Sequence, residues 1–137
     1  MEKILQSIER LLMEIRNYIM RDPVDARVGI VRSVSLTATP IPILPEDGSI
    51  VGWFLSNSRT SAIYIKLYDR VNPPDVATSQ PDMTIMLPAS SAANVSFQRG
   101  IPFKNGIWAI AVTGYADTDT TSPSAGEVIT NFFLEGN

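Results

Sequence analysis

The chain has 137 residues, 45% of them hydrophobic and 18% charged, with a formal charge of −3. This is the size and composition of one folded domain with a sparsely charged surface, and the acidic balance provides no electrostatic footprint for nucleic acid. Cysteine and histidine are both absent, which removes disulfides, thiolate nucleophiles, sulfur-ligated metals and the side chain best suited to proton transfer near neutral pH.

No apolar run reaches the roughly 18 to 20 residues of a membrane-spanning helix. Glu2, Glu9, Arg10, Glu14 and Arg16 interrupt the N-terminus too often for a secretory signal. The expectation is a protein with no membrane segment, no cofactor, no metal and no catalytic residues.

Residues 1–22, "MEKILQSIERLLMEIRNYIMRD", contain neither Gly nor Pro and are rich in strong helix formers. Ile4, Ile8, Leu11, Ile15 and Tyr18 recur at spacings of four, three, four and three, a heptad seam with Ile8 and Ile15 at a and the others at d. Leu5, Leu12 and Ile19 fall at e and widen the apolar face. Asp22-Pro23 ends the helix, because a residue before proline is pushed out of the α region. Packing on its own body is one use for such a helix. Its terminal position and the polar connector "RDPVDAR" favour association between chains, and isoleucine at a suits three strands or more. Three heptads alone are weak, so the body must contribute to any stable oligomer.

The remainder, 23–137, reads as one β domain. Residues 28–36 form a half-buried strand, with Val28, Ile30, Val34 and Leu36 on one face and Val31 and Arg32 out of phase. "TPIPILPEDG" follows. Its three prolines exclude a central strand, so Pro40, Ile41, Pro42, Ile43, Leu44 and Pro45 are expected as an extended edge segment or an arm lying on a neighbour.

Further strands are expected at 50–56, 62–69, 83–87, 95–97, 107–114 and 128–134, each bounded by turn-forming residues. "AIYIKLYD" alternates cleanly, with Ile63, Ile65 and Leu67 inward and Tyr64, Lys66 and Tyr68 on the polar side. About seven short strands without a helical pattern between them predict a β-sandwich or jelly roll.

Chemistry is sparse. The loop 115–127, "YADTDTTSPSAGE", carries Asp117, Asp119 and Glu127. Alternating acids of this kind can bind calcium or serve as an acid/base pair, but the same residues are ordinary turn formers, and a solvated loop is the expectation. Trp53 and Trp108 alternate with apolar neighbours and belong to a core, whereas Tyr64 and Tyr68 are candidates for a contact surface. Gly100 and Gly106 are expected at the corners of the segment "GIPFKNGIWAIAVTG", with Phe103 and Trp108 filling the interior.

Several stretches together carry a resemblance. They are Asn57 after an apolar strand, "YIKLYDR" before a Pro-rich loop, "PDMTIMLPA", "GIPFKNGIWAIAVTGYADTDTT" and the closing "VITNFF". Across roughly residues 50–134 the chain resembles the small β-sandwich modules of tailed-bacteriophage virion proteins, which serve as head-decoration (cement) proteins or as fibre and tail components.

The resemblance implies a non-enzymatic structural role on a virion, most simply the capsid exterior, for a protein made in the host cytoplasm, with a homotrimer binding neighbouring subunits of the major capsid protein. It supplies no catalytic residues. The contact elements expected are the heptad face and the proline segment 40–45. The alternative is a receptor- or carbohydrate-binding module of a tail or fibre, using Tyr64, Tyr68 and the loop 115–127.

Overall fold

The strands pair as though a single long hairpin had been rolled up. The computed structural model describes the backbone of residues 2–19 and 28–136 and the side chains of 2–13 and 29–136. Among these residues one helix, α1 (Glu2–Ile19), precedes eight strands: β1 (Val28–Ser33), β2 (Ile41–Leu44), β3 (Gly48–Asn57), β4 (Ile63–Tyr68), β5 (Met83–Leu87), β6 (Ser91–Phe103), β7 (Ile107–Val112) and β8 (Val128–Gly136). β1 pairs with β8, β2 with β7, β3 with β6 and β4 with β5, all antiparallel.

Closing pairs between β3 and β8 and between β4 and β7 complete two four-stranded sheets. Their orders are β1-β8-β3-β6 (sheet A) and β2-β7-β4-β5 (sheet B). Only the β4–β5 connection stays within one sheet; every other connection crosses between them. This is the jelly-roll arrangement of two Greek keys. The β-sandwich or jelly-roll body expected from the sequence, with an N-terminal helix, is the observed fold.

The main core lies between the sheets. Trp53 and Leu55 of β3, Phe132 of β8, Ile63 and Ile65 of β4 and Ile107 of β7 are buried there. The Trp53 and Phe97 rings meet edge to face, with centroids 5.1 Å apart and planes at 72°, the geometry preferred by aromatic quadrupoles. Phe103 joins this core, as expected. Trp108 does not. It is half-buried on the other side of sheet B, and its indole N–H donates to the Val71 carbonyl at 3.3 Å.

Three further corrections concern facing and extent. In β1, Val31 packs on the core and Ile30 is exposed, the reverse of the expected parity. The strand expected at 95–97 runs from Ser91 to Phe103, and its register against β3 shifts between Ile50 and Gly52. Gly100 therefore lies inside β6. Gly106 does occupy a corner, at φ +148°, where a Cβ would come within 2.8 Å of the Arg70 carbonyl.

Candidate functional site

Among the described residues, loops cover the centre of sheet B on its outer side, over β4 and β7, while Met86 on the edge strand β5 stays exposed and the outer face of sheet A has no such cover. On the outer side of sheet B, Tyr68, Ile110 and Val112 form a second buried cluster with Ala38, Tyr64, Val76 and Trp108 packed against it. Ala38 comes from the segment before β2, and Val76 from the loop after β4. Lys66 and Tyr68, expected on the solvent side with Tyr64, are fully buried. Strand parity set their direction correctly, but loops cover that direction.

Lys66 Nζ donates to the Ala116 carbonyl. Burial pushes its pKa down, and the nearby Asp119 and Asp117 carboxylates offset part of that effect. Burial likewise pushes the Tyr68 phenol up, helped by Asp117.

The loop 113–121 is largely exposed, as expected, and is ordered around the half-buried Asp119. The Asp119 carboxylate accepts from the Thr121 hydroxyl at 2.6 Å and the Gly114 amide at 2.9 Å, and Thr113 N donates to Thr121 O at 2.9 Å. The Thr121 hydroxyl, opposed by burial and joined by the Gly114 and Thr121 amides and Lys66, holds the Asp119 carboxyl below its ordinary range. Asp117 is exposed. Among the described residues, no three acidic side chains come together as metal ligands do.

Two other polar knots are structural. Asn57 is buried at the end of β3; its Nδ2 donates to the carbonyls of Ser61, Leu87 and Pro88 and its Oδ1 accepts from Arg59 N, all within 3.2 Å. Arg59 in turn pairs with Glu127 at 2.7 Å, across a shallow depression lined by Ser58, Arg59, Thr60 and Glu127.

The expected contact residues divide. Ile4, Ile8 and Leu11 of α1 are 64%, 48% and 57% exposed, so this part of the seam is open. Ile15 and Tyr18 lie on the same helix, but their side chains fall outside the described residues, as does the connector 20–27. In the proline segment, Ile43 is buried in the protein's own core and Ile41 and Leu44 pack against it, while Pro40 is half-buried and Pro42 and Pro45 are exposed. Residues Ile41–Leu44 of the segment form the edge strand β2, paired with β7 with a register shift between Pro42 and Leu44.

Sequence reasoning passed over the outer face of sheet A. Its rows are Ile30–Phe133–Gly52–Ser96 and Arg32–Asn131–Phe54–Asn94. Ile30 and Phe54 are 67% and 42% exposed, and Phe133 and Ile129 are half-buried beside them. The signal was present in strand parity: once Trp53 and Leu55 face the core, Phe54 must face out.

No protein-family model matches the chain, and no curated protein matches it.

Proposed function

We propose that the protein is a non-enzymatic structural component of a virion, a capsid-decoration (cement) protein. In this reading copies gather through α1 as a trimer and bind neighbouring capsid subunits. The observation that carries it is the open apolar stripe of α1. Ile4, Leu5, Ile8, Leu11 and Leu12 are all exposed on the single chain, an arrangement that favours a partner over solvent.

The jelly roll is used by viral capsid and lectin domains alike, so it supports the class of protein without choosing within it. The mechanism is multivalent burial, in which symmetry converts several modest contacts into a tight one.

The test is a heat-stability comparison of particles carrying and lacking the protein. The reading expects particles that lack it to release their genome at a lower temperature. Identical release temperatures overturn it.

A second reading, a carbohydrate-binding module, draws on one observation. The rings of Tyr64 and the exposed Tyr115 stand 6.4 Å apart and offer an aromatic surface for sugar stacking. Tyr68, expected to share that role, is buried and is withdrawn from it. Binding on a glycan array that disappears in Tyr115→Ala would favour this reading over the first.

A further inference from the structure

We infer that the outer face of sheet A is a self-association surface whose occupant is a second copy of this chain. The inference rests on the proposed gathering of copies by α1 and identifies which surface of the body contributes to the same assembly.

The two sides of the sandwich differ in a way that one isolated chain does not explain. Loops bury the centre of the outer side of sheet B, over β4 and β7, and leave Met86 of β5 exposed at its edge. On sheet A the apolar side chains Ile30, Phe54, Ile129 and Phe133 have no covering segment among the described residues. In the β1–β8 pair the charges on this face are Arg32 and Glu135, from neighbouring edge and inner strands, and on β6 the exposed Arg99 lies at the register shift along the far edge. A face with so few ions can be desolvated at small cost, and charge depletion marks the centre of protein interfaces. In a rotated neighbour, Arg32 of one copy and Glu135 of the next have opposite signs to pair at the margin.

Area and connectivity select a second copy. Four strands about 4.8 Å apart, between 6 and 13 residues long, make a face of roughly 600 Å². A stable association buries about 800 Å² on each partner. The sheet face alone is too small, and three heptads of α1 alone are weak. Together they reach the range.

The two surfaces are also close along the chain. β1, the edge strand of sheet A, begins at Val28, while α1 ends at Ile19. The nine steps from Ile19 to Val28 span at most about 32 Å, so copies joined through α1 hold their β1 edges within that reach of a common axis. A surface at that edge meets another copy at high effective concentration.

The experiment is sedimentation of the full chain across a concentration series, with circular dichroism to confirm folding. Two double variants are compared with wild type: Ile8→Asp with Ile15→Asp on the helix, and Ile30→Thr with Phe54→Thr on the sheet face. Threonine keeps the strand preference at positions that are already exposed, so the second variant is expected to fold. Each should weaken assembly at least tenfold.

A sheet-face variant that assembles like wild type, beside a helix variant that does not, overturns this inference and leaves the helix reading standing. The opposite pattern supports the sheet face and removes the helix. A wild-type chain that stays monomeric at high concentration overturns both. If the sheet-face variant proves unfolded, Phe54→Ser alone is measured, and assembly equal to wild type overturns the inference.

Discussion

Lys66 Nζ donates a hydrogen bond to the Ala116 carbonyl from a side chain that is fully buried in the centre of sheet B. The bond ties the loop 113–121 to the strand beneath it, at the expense of a desolvated ammonium. Because burial lowers the pKa of Lys66 in the folded chain, the native state gives up this proton at a lower pH than the unfolded chain does. Its charge therefore opposes folding at neutral pH, and the opposition is relieved as pH rises towards the ordinary lysine value of 10.5. Lys66→Met keeps the stem and removes the ion. It should melt at or above the wild-type temperature at pH 7, by up to about 2 kcal/mol of stability, with a smaller difference at pH 10. A variant melting well below wild type at both pH values would show that the bond to Ala116 outweighs desolvation.

Acid should act through Asp69 and Asp119. Burial alone pushes the Asp69 carboxyl up, but the amides of Lys104, Asn105 and Gly106 outweigh it and hold the group below its ordinary value of 3.8. The Lys104 and Asn105 amides lie 3.0 and 2.8 Å from its two oxygens and fix the turn between β6 and β7. A lowered carboxyl pKa contributes stability that is complete above the unfolded value and is lost as pH falls through the folded one. Urea midpoints should therefore hold steady from pH 7 to about 5 and fall below about pH 4. Asp69→Asn should start lower by about 1.5 kcal/mol and fall less steeply in acid. Parallel curves for the two proteins over that range would remove Asp69 from the account.

Asn57 joins the two sheets. Its amide reaches carbonyls at the β4 entrance and at the end of β5, while its oxygen holds the Arg59 amide. Asn57→Ala leaves these partners unmatched in a buried site, a loss of about 2 to 4 kcal/mol. Asn57→Asp should be worse, since it keeps the acceptor, removes the donors facing three carbonyls and adds a buried charge. Urea unfolding ranks the three proteins. An aspartate variant as stable as the alanine variant would mean that solvent reaches the site.

The parts of this molecule legible in its sequence are those where local pattern and burial coincide. Met83–Leu87 was bounded correctly because both ends carry turn residues and the interior is apolar. β6 was mostly missed because Ala92, Asn94 and Ser96 face solvent from an edge strand, where small and polar residues suffice and periodicity is faint. Lys66 and Tyr68 misled for a different reason. Alternation reports which way a side chain points, and segments from elsewhere in the chain, Ala116 over Lys66 and Ala38 and Val76 over the Tyr68 cluster, decide whether water is there. The proline segment lies at a sheet edge, as proline requires, but Ile43 in the core could be placed only once its partner strand β7 was known.

Gly52 and Phe133 provide the last prediction. They are direct partners in the register of β3 and β8, and both belong to the outer face of sheet A. A Cβ on Gly52 would come within 2.7 Å of the Val95 carbonyl and 2.9 Å of Phe133 Cδ2. The first contact is backbone and cannot yield without displacing β6; the second would force the Phe133 ring off its glycine floor. Gly52→Ala should lower stability by about 1 to 3 kcal/mol, the usual range for overpacking. Gly52→Ala with Phe133→Leu relieves only the ring clash and should recover part of that loss, because Val95 still obstructs the methyl group. Since the same ring forms part of the sheet A surface, Gly52→Ala should also weaken assembly of the folded protein in sedimentation. A variant that loses stability but assembles at the wild-type concentration would separate the ring's packing from the interface and place Phe133 outside it.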